Sequence, residues 1–385
     1  MGRIKNADTY SMTKTLFLSV MNGSAWGGSE ELWYQAALWM ARHHYDVGVC
    51  CFDDAGKSGK MRELEKAGCK LFLLPGREET KKQLLLGKIK LSIAVTEVPF
   101  EEYDKVIVRQ GGWKDVTHGP FKKLFQRMKE YVLIYHNYNI NEKFSLRKFS
   151  LLQKWADKAV KNLGDTPKIF QALEEAYSLS IPRQEKLFNP LTFEVPQTAA
   201  PYPQVVNGKY IFSVFAALDI GRKAQDVLIK AFAGAGWKDR KWELHLYGSG
   251  KDKELLQKMI QDHQLQSKIF LQGNADNYAE AICKSHLVLQ ITHIDAMPIT
   301  VMDSLAMARP IVVSNVGDMP SWINNDINGW VVTQVTPDAI NRTLEQAWEQ
   351  RDNWATMGKQ SFAIFHRDFP ASPINYFLKQ TGILS

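Results

Sequence analysis

The sequence predicts two doubly wound α/β domains in tandem, and three observations carry that prediction. Short apolar runs alternate with segments of helical period, the pattern of a parallel sheet covered by helices on both faces. The alternation stops in a stretch holding Pro190, Pro196, Pro201 and Pro203, then restarts. The chain has 385 residues, more than one ordinary core accommodates. The expected division is a first domain over 1–190, a linker over 191–208 and a second domain over 209–365, with a tail from about 366 to 385 packing back on the first.

In the first domain, residues 15–21 read as a buried strand. The loop Asn22-Gly23-Ser24-Ala25-Trp26-Gly27-Gly28 leads into a helix over 29–43, with Ser29 as its cap and Glu30 and Glu31 suited to its dipole. Strand 47–52, helix 58–67 and strand 70–74 follow. Residues 84–103 show no clear period and receive no element. Further on come strands 105–108 and 131–135, helix 146–155, strand 158–161, helix 166–178 and strand 186–188.

The second domain repeats the alternation. Strands are predicted over 210–216, 243–246, 268–271, 287–291 and 311–314, with helices over 224–233, 253–262, 278–284 and 299–308. From Pro337 the chain is mostly helical. Phe362, Phe365, Phe369, Tyr376 and Phe377 there need a surface to bury them, expected to be the first domain.

Composition narrows the function classes. Hydrophobic residues make up 45% and charged residues 23%, as in soluble globular proteins. No apolar run approaches the roughly 20 residues that span a bilayer. The polar N-terminus lacks a signal-peptide design, so a cytoplasmic location is expected. Cys50, Cys51, Cys69 and Cys283 show no metal spacing and read as reduced core thiols. The net charge of +7 suits an anionic ligand or an acidic membrane surface. No nucleic-acid-binding motif accompanies it, so no nucleic-acid partner is expected. The basic stretch from Phe121 to Lys129 admits two readings: a peripheral contact at the inner face of an anionic membrane, or a solvated helix with one side in the core.

Four motifs carry chemistry. Gly27 and Gly28 at a helix start let backbone approach a phosphate closely, and equally serve a tight turn. Arg222 and Lys223, after the first strand of the second domain, are placed to neutralise a diphosphate, or are ordinary surface cations. Gly248-Ser249-Gly250 lies where open α/β sheets bind ligands, or is a plain turn. The fourth runs from Thr292 to Ala306: a strand end, a loop with Asp295, Met297 and Pro298, then a helix opening at Ile299 and carrying Asp303. A helix N-terminus beside a tight loop forms an anion site, with free N–H groups and the positive dipole end directed at one point. Metal-binding Asp-x-Asp is absent, and no metal or other cofactor is expected.

Together these segments resemble glycosyltransferase family 4, retaining enzymes of the GT-B fold. The run Gly221-Arg222-Lys223-Ala224-Gln225-Asp226-Val227-Leu228-Ile229-Lys230-Ala231-Phe232 looks like the family's Lys-Gly-x-Asp-x-Leu-Ile-x-Ala-Phe segment, whose Lys binds the donor diphosphate. Leu246-Tyr247-Gly248-Ser249-Gly250 looks like its glycine turn. Asp295-Ala296-Met297-Pro298, with Asp303-Ser304-Leu305-Ala306-Met307-Ala308-Arg309-Pro310, is similar to its paired-glutamate signature. Gly27-Gly28-Ser29-Glu30 resembles Gly-Gly-Ala-Glu, and His136 sits where a His ends a strand facing the acceptor. The resemblance implies two Rossmann-like domains around a cleft and transfer of a hexose from a UDP- or GDP-sugar to a glycan or lipid-linked acceptor. Lys223, Arg222 and the helix start at Ile299 would take the diphosphate, Asp303 the ribose and Asp295 the hexose. Gly27 and Gly28 would close over the phosphates, and His136 would stand near the acceptor or the sugar. Both signature glutamates are aspartates here, which withdraws each carboxylate by about 1.5 Å. Ala296 replaces a glycine, and Ala217 an arginine. These departures leave a second reading, a catalytically weak or inactive sugar-nucleotide or glycan-binding protein on the same scaffold.

Overall fold

A computed structural model of the chain describes residues 13–21, 26, 28–53, 58–76, 84–112, 115–117, 119–136 and 146–384. It divides into two compact units, residues 1–187 with 374–385, and residues 188–373.

The first unit is built on seven parallel strands: β1 (Thr15–Ser19), β2 (Val47–Phe52), β3 (Lys70–Leu74), β4 (Lys105–Arg109), β5 (Glu130–Tyr135), β6 (Lys161–Gly164) and β7 (Gln184–Lys186). Their order is β3-β2-β1-β4-β5-β6-β7. Every residue of β1, β2 and β4 is buried, which is why they read as continuous apolar runs rather than alternating ones. The chain builds outward from β1 and then returns to lay β4 against its other side, with Ser19 opposite Arg109. That reversal makes the carboxyl ends of β1 and β4 the unit's topological switch point, where open α/β sheets bind ligands.

Several elements depart from the sequence expectation. A helix, Leu84–Glu97, fills part of the stretch left unassigned. Its residues are apolar on nearly every side, so no 3.6-residue period shows. β6 covers 161–164 rather than 158–161, because Lys158 still belongs to the preceding helix Leu146–Lys158. Asn162 disguises this strand. Fully buried, it accepts from the Tyr135 hydroxyl (3.0 Å) and donates to the carbonyls of Ala156 (3.0 Å) and Pro182 (2.7 Å). Along the basic stretch, a 3-10 helix (Gly119–Gln126) turns Phe121, Leu124 and Phe125 inward, and Met128 is buried beyond it. That is the solvated-face arrangement, with no apolar side left to meet a membrane.

The second unit has six parallel strands, β8 (Tyr210–Phe215), β9 (Trp242–Tyr247), β10 (Ile269–Gly273), β11 (Leu287–Gln290), β12 (Ile311–Ser314) and β13 (Gly329–Val332), ordered β10-β9-β8-β11-β12-β13. The switch point here lies between β8 and β11. One side of the sheet packs on a cluster that includes Phe212, Phe232, Trp237, Trp242 and Trp354. The proline-rich stretch after Leu187 is packed down rather than loose. Arg309, wholly buried, donates to the carbonyls of Ala200, Pro201, Ile282 and Cys283, and the Tyr202 hydroxyl donates to the His286 carbonyl.

The tail splits between the units. Phe365 and Phe369 lie in the core of the second, at the end of helix Trp354–Asp368. Phe377 and Leu378, on helix Pro373–Gln380, are fully buried in the first, where Lys105 donates to the Thr381 carbonyl at 2.8 Å. The return to the first unit therefore begins at Ile374 rather than at 366. Cys50, Cys51 and Cys69 are buried and Cys283 is partly so, all as free thiols. Among the described residues no helix is long and apolar enough to cross a membrane.

Candidate active site

At the switch point of the second unit, two loops are tied together by their backbones. The segment after β8 forms a single helical turn, Ile220–Lys223, which ends because Ala224 adopts the left-handed conformation (φ 48°). The predicted continuous helix over 224–233 thus starts one residue late, as Gln225–Phe232. The Arg222 carbonyl accepts from the His293 amide (2.8 Å) and the Thr292 hydroxyl (2.6 Å) of the loop that follows β11. This strap brings Lys223 against Asp295 in an ion pair between side chains that are 14% and 17% exposed. Arg222 itself points its side chain into solvent.

Glycines hold the surrounding loops at backbone distance. Gly317 has φ +57°, and a side chain there would start 2.0 Å from the Ala296 carbonyl, which also accepts from the Asp318 amide at 2.8 Å. Gly248 has φ +137°, and its side chain would start 2.1 Å from the Ala216 carbonyl. The turn over 248–250 is therefore fixed by its contact with the loop after β8, a requirement of packing that exists before any ligand arrives.

Helix Ile299–Ala306 opens at Pro298, its N-cap in an extended conformation, with Met297 before it. No side chain caps this helix. The first-turn N–H groups of Ile299 and Thr300 lack an intrahelical acceptor, and with the positive end of the dipole they suit an anion. Thr300 turns its hydroxyl inward to the Phe215 carbonyl (3.1 Å).

Asp303, one turn further on, is wholly buried. Its carboxylate accepts from the Thr192 amide (3.4 Å) and hydroxyl (3.1 Å) and from the Tyr278 hydroxyl. Burial pushes its pKa up to about 7, against the opposing pull of those hydrogen bonds. Tyr278 is raised too, by burial first and by the Asp303 charge second. Its ring meets Phe215 edge-on at 5.0 Å, and Phe215 stacks on Tyr247 at 4.8 Å. Sequence reasoning missed Thr192 and Tyr278. Thr192 lay in the stretch read as a linker, and an aromatic opening a helix signals packing rather than a carboxylate partner.

In the first unit, Gly28 begins helix Gly28–Arg42 and is exposed, while Gly27 lies outside the described residues. Glu30 faces inward instead of serving the helix end from solvent. It pairs with Arg109 and accepts from the Ser19 hydroxyl (3.0 and 3.2 Å) and the Trp33 indole (2.9 Å). His136 follows β5, with Nδ1 3.2 Å from Asp165 Oδ2 at the end of β6. The buried Nε2 of His136 has no hydrogen-bond partner among the described residues.

The features of the second unit lie in a stretch that is similar to known glycosyltransferases. Residues 200–362 match the family Glycosyl transferases group 1. The matched stretch contains Lys223, Asp295, Asp303 and both loops that join them. Among curated proteins, the chain is 24% identical over 195 residues to the poly(glycerol-phosphate) alpha-glucosyltransferase of Bacillus subtilis (strain 168), covering 50% of this chain and 29% of that one. It is 26% identical over 111 residues to the poly(ribitol-phosphate) alpha-N-acetylglucosaminyltransferase of Staphylococcus aureus (strain COL), covering 29% and 22%. The chain thus matches less than a third of the length of each. Among solved structures, Anabaena HepE in complex with UDP superposes with a TM-score of 0.73 at 17% identity, covering 96% of this chain and 99% of that one. Sucrose-phosphate synthase from Thermosynechococcus elongatus gives 0.73 at 13% identity, covering 95% and 98%. The fold of the chain is GT-B.

Proposed function

We propose that this protein is a retaining glycosyltransferase of family 4, moving a hexose from a nucleotide-diphosphate sugar to a hydroxyl of a glycan-type or lipid-linked acceptor. The observation that carries the reading is the Lys223–Asp295 pair at the switch point of the second unit, beside a helix start with no side-chain cap. Lys223, Arg222 and the N–H groups at Ile299 receive the diphosphate, most strongly as charge develops on the leaving group. Asp295, released from Lys223, takes hexose hydroxyls. Gly27 and Gly28 serve the phosphates, and the turn at Gly248, with Met297 and Pro298, shapes the donor pocket. His136, oriented by Asp165, serves the acceptor hydroxyl or the sugar. Asp303 meets the ribose only if Thr192 and Tyr278 exchange their hydrogen bonds for the ribose hydroxyls.

In the transfer, the bond from the anomeric carbon to the diphosphate oxygen breaks as the acceptor oxygen bonds to the same face. The acceptor proton passes to a phosphate oxygen of the departing nucleoside diphosphate. No protein nucleophile and no resident metal ion enter this scheme. Two relatives named for alpha transfer support retention, because an alpha-linked donor yields an alpha product only that way. UDP is the favoured nucleotide, since HepE binds UDP and UDP-glucose. The acceptors of those relatives are polyol-phosphate polymers, and a net charge of +7 suits such a polyanion. The reading puts the chain in the cytoplasm, beside its activated sugars, and involves no nucleic acid.

The sealed carboxyl of Asp303 favours one other reading, a sugar-nucleotide-binding protein with little or no turnover. A thermal-shift screen of nucleoside diphosphates, followed by assays of hydrolysis and of transfer to poly(glycerol phosphate), separates the two. UDP at about 100 times its Kd is expected to stabilise the chain by roughly 2.7 kcal/mol, with sugar released or transferred from a UDP-hexose. Stabilisation by UDP without hydrolysis or transfer establishes the second reading instead.

A further inference from the structure

The helix Leu84–Glu97 has one face in the core, through Leu91 and Val95, and a second apolar face that is exposed among the described residues. Leu86, Ile89 and Ile93 are 64%, 48% and 54% exposed. Their spacing of three and four residues puts them in one stripe along the helix. Lys88 and Lys90, both exposed, lie on either side of Ile89 in sequence. Next to this helix runs the 3-10 helix Gly119–Gln126, with Lys122 and Lys123 exposed. Arg127 fastens the two together, donating to the carbonyls of Thr96 (3.2 Å) and Val98 (2.9 Å). Among the described residues, the acidic groups nearby are Glu97, exposed at the helix end, and Glu101, which is paired with Arg127.

We propose that the face formed by Leu86, Ile89 and Ile93, with Lys88, Lys90, Lys122 and Lys123 around it, docks the protein on an anionic lipid surface. Aliphatic side chains on the outer face of a helix that lies along the interface enter the acyl boundary, while lysines beside them meet the headgroups. Each lysine adds attraction that fades within a Debye length. A second copy of the chain is the poorer occupant. A two-fold contact would set Lys88 and Lys122 against the like charges of the second copy, and three aliphatic side chains fall well short of the roughly 800 Å² per partner of a stable interface. The inference stands apart from the donor site and does not depend on it. It also differs from a membrane reading of the stretch 121–129, whose own apolar residues are in the core.

The test is co-sedimentation of the full chain with vesicles of pure phosphatidylcholine or of phosphatidylcholine with 30% phosphatidylserine. Binding is expected on the anionic vesicles only, and it weakens as salt rises. The triple substitution Leu86→Ser, Ile89→Ser, Ile93→Ser is expected to weaken it at least tenfold with the melting temperature unchanged, because these residues hold nothing in the core. A charge variant, Lys88→Gln with Lys122→Gln, keeps every apolar side chain and is expected to weaken binding by about fivefold per lysine. Failure to bind anionic vesicles overturns the proposal, as does undiminished binding by the triple variant. Light scattering adds one further arm: a wild-type dimer that the triple variant converts to monomer would assign the face to self-association and overturn the lipid assignment.

Discussion

Each unit places a carboxylate and a cation at its switch point, yet the two pairs are built for opposite purposes. In the first unit, Glu30 and Arg109 are 0% and 2% exposed, and Glu30 also accepts from Ser19 and Trp33. Every hydrogen bond that offsets its lost hydration comes from the protein. In the second unit, Lys223 and Asp295 remain partly exposed, and the other bond to the Asp295 carboxylate among the described residues is the adjacent Ala296 amide at 3.1 Å. Both side chains keep a part of their surface exposed, so a diphosphate can replace Asp295 on the lysine without stranding the carboxylate in a sealed interior. A sealed pair commits both partners to the fold, whereas a pair left partly open keeps them available for exchange.

The largest expected effect tests the sealed half. Glu30→Ala leaves the Arg109 guanidinium buried and unpaired, which costs about 3–5 kcal/mol. In a denaturant titration, the transition of the first unit is expected to fall while that of the second stays in place. Next in size is Lys223→Ala. Loss of a charge stabiliser for the leaving diphosphate is expected to lower kcat/KM for the donor by roughly 10²–10³-fold. Stability is expected to fall by less than in Glu30→Ala, because the remaining carboxylate keeps some contact with solvent. If the lysine variant unfolds the second unit, or the glutamate variant leaves the first unit unmoved, the contrast between the two pairs fails.

The contrast was only half legible in the sequence. Lys223 and Asp295 were found because each follows an apolar strand and precedes a helix, and the alternation of elements places such loops at the carboxyl ends of the sheet. That Glu30 turns inward was not legible. A glutamate in the first turn of a helix suits the dipole from solvent, and nothing local names Arg109, 79 residues away, as its partner. The helix Leu84–Glu97 was hidden because a segment apolar on both faces has no period to detect. β6 was hidden because Asn162, a buried polar residue, interrupts the hydropathy where the strand runs. What tertiary contacts decide, local pattern does not record.

Asp303 lies between the two pairs in character, and its titration offers a finer test. The native carboxyl keeps its proton up to about pH 7, whereas an unfolded aspartate loses it near 3.9. Between those values the folded state binds more protons, so stability is highest in acid, falls as pH rises and levels off above 7. From pH 5 to 8 this amounts to about 2–3 kcal/mol. Asp303→Asn has nothing to titrate, so its stability profile is expected to lose this fall, leaving it the more stable of the two at pH 8. Urea denaturation at each pH measures the difference, and parallel profiles would refute the sealed-carboxyl account. Repeating the wild-type series with saturating UDP decides between the two roles of the residue. Ribose hydroxyls that donate to Asp303 favour the charged form and move the fall to lower pH. If Thr192 and Tyr278 keep the carboxyl sealed, the nucleotide raises stability equally at every pH and leaves the position of the fall unchanged.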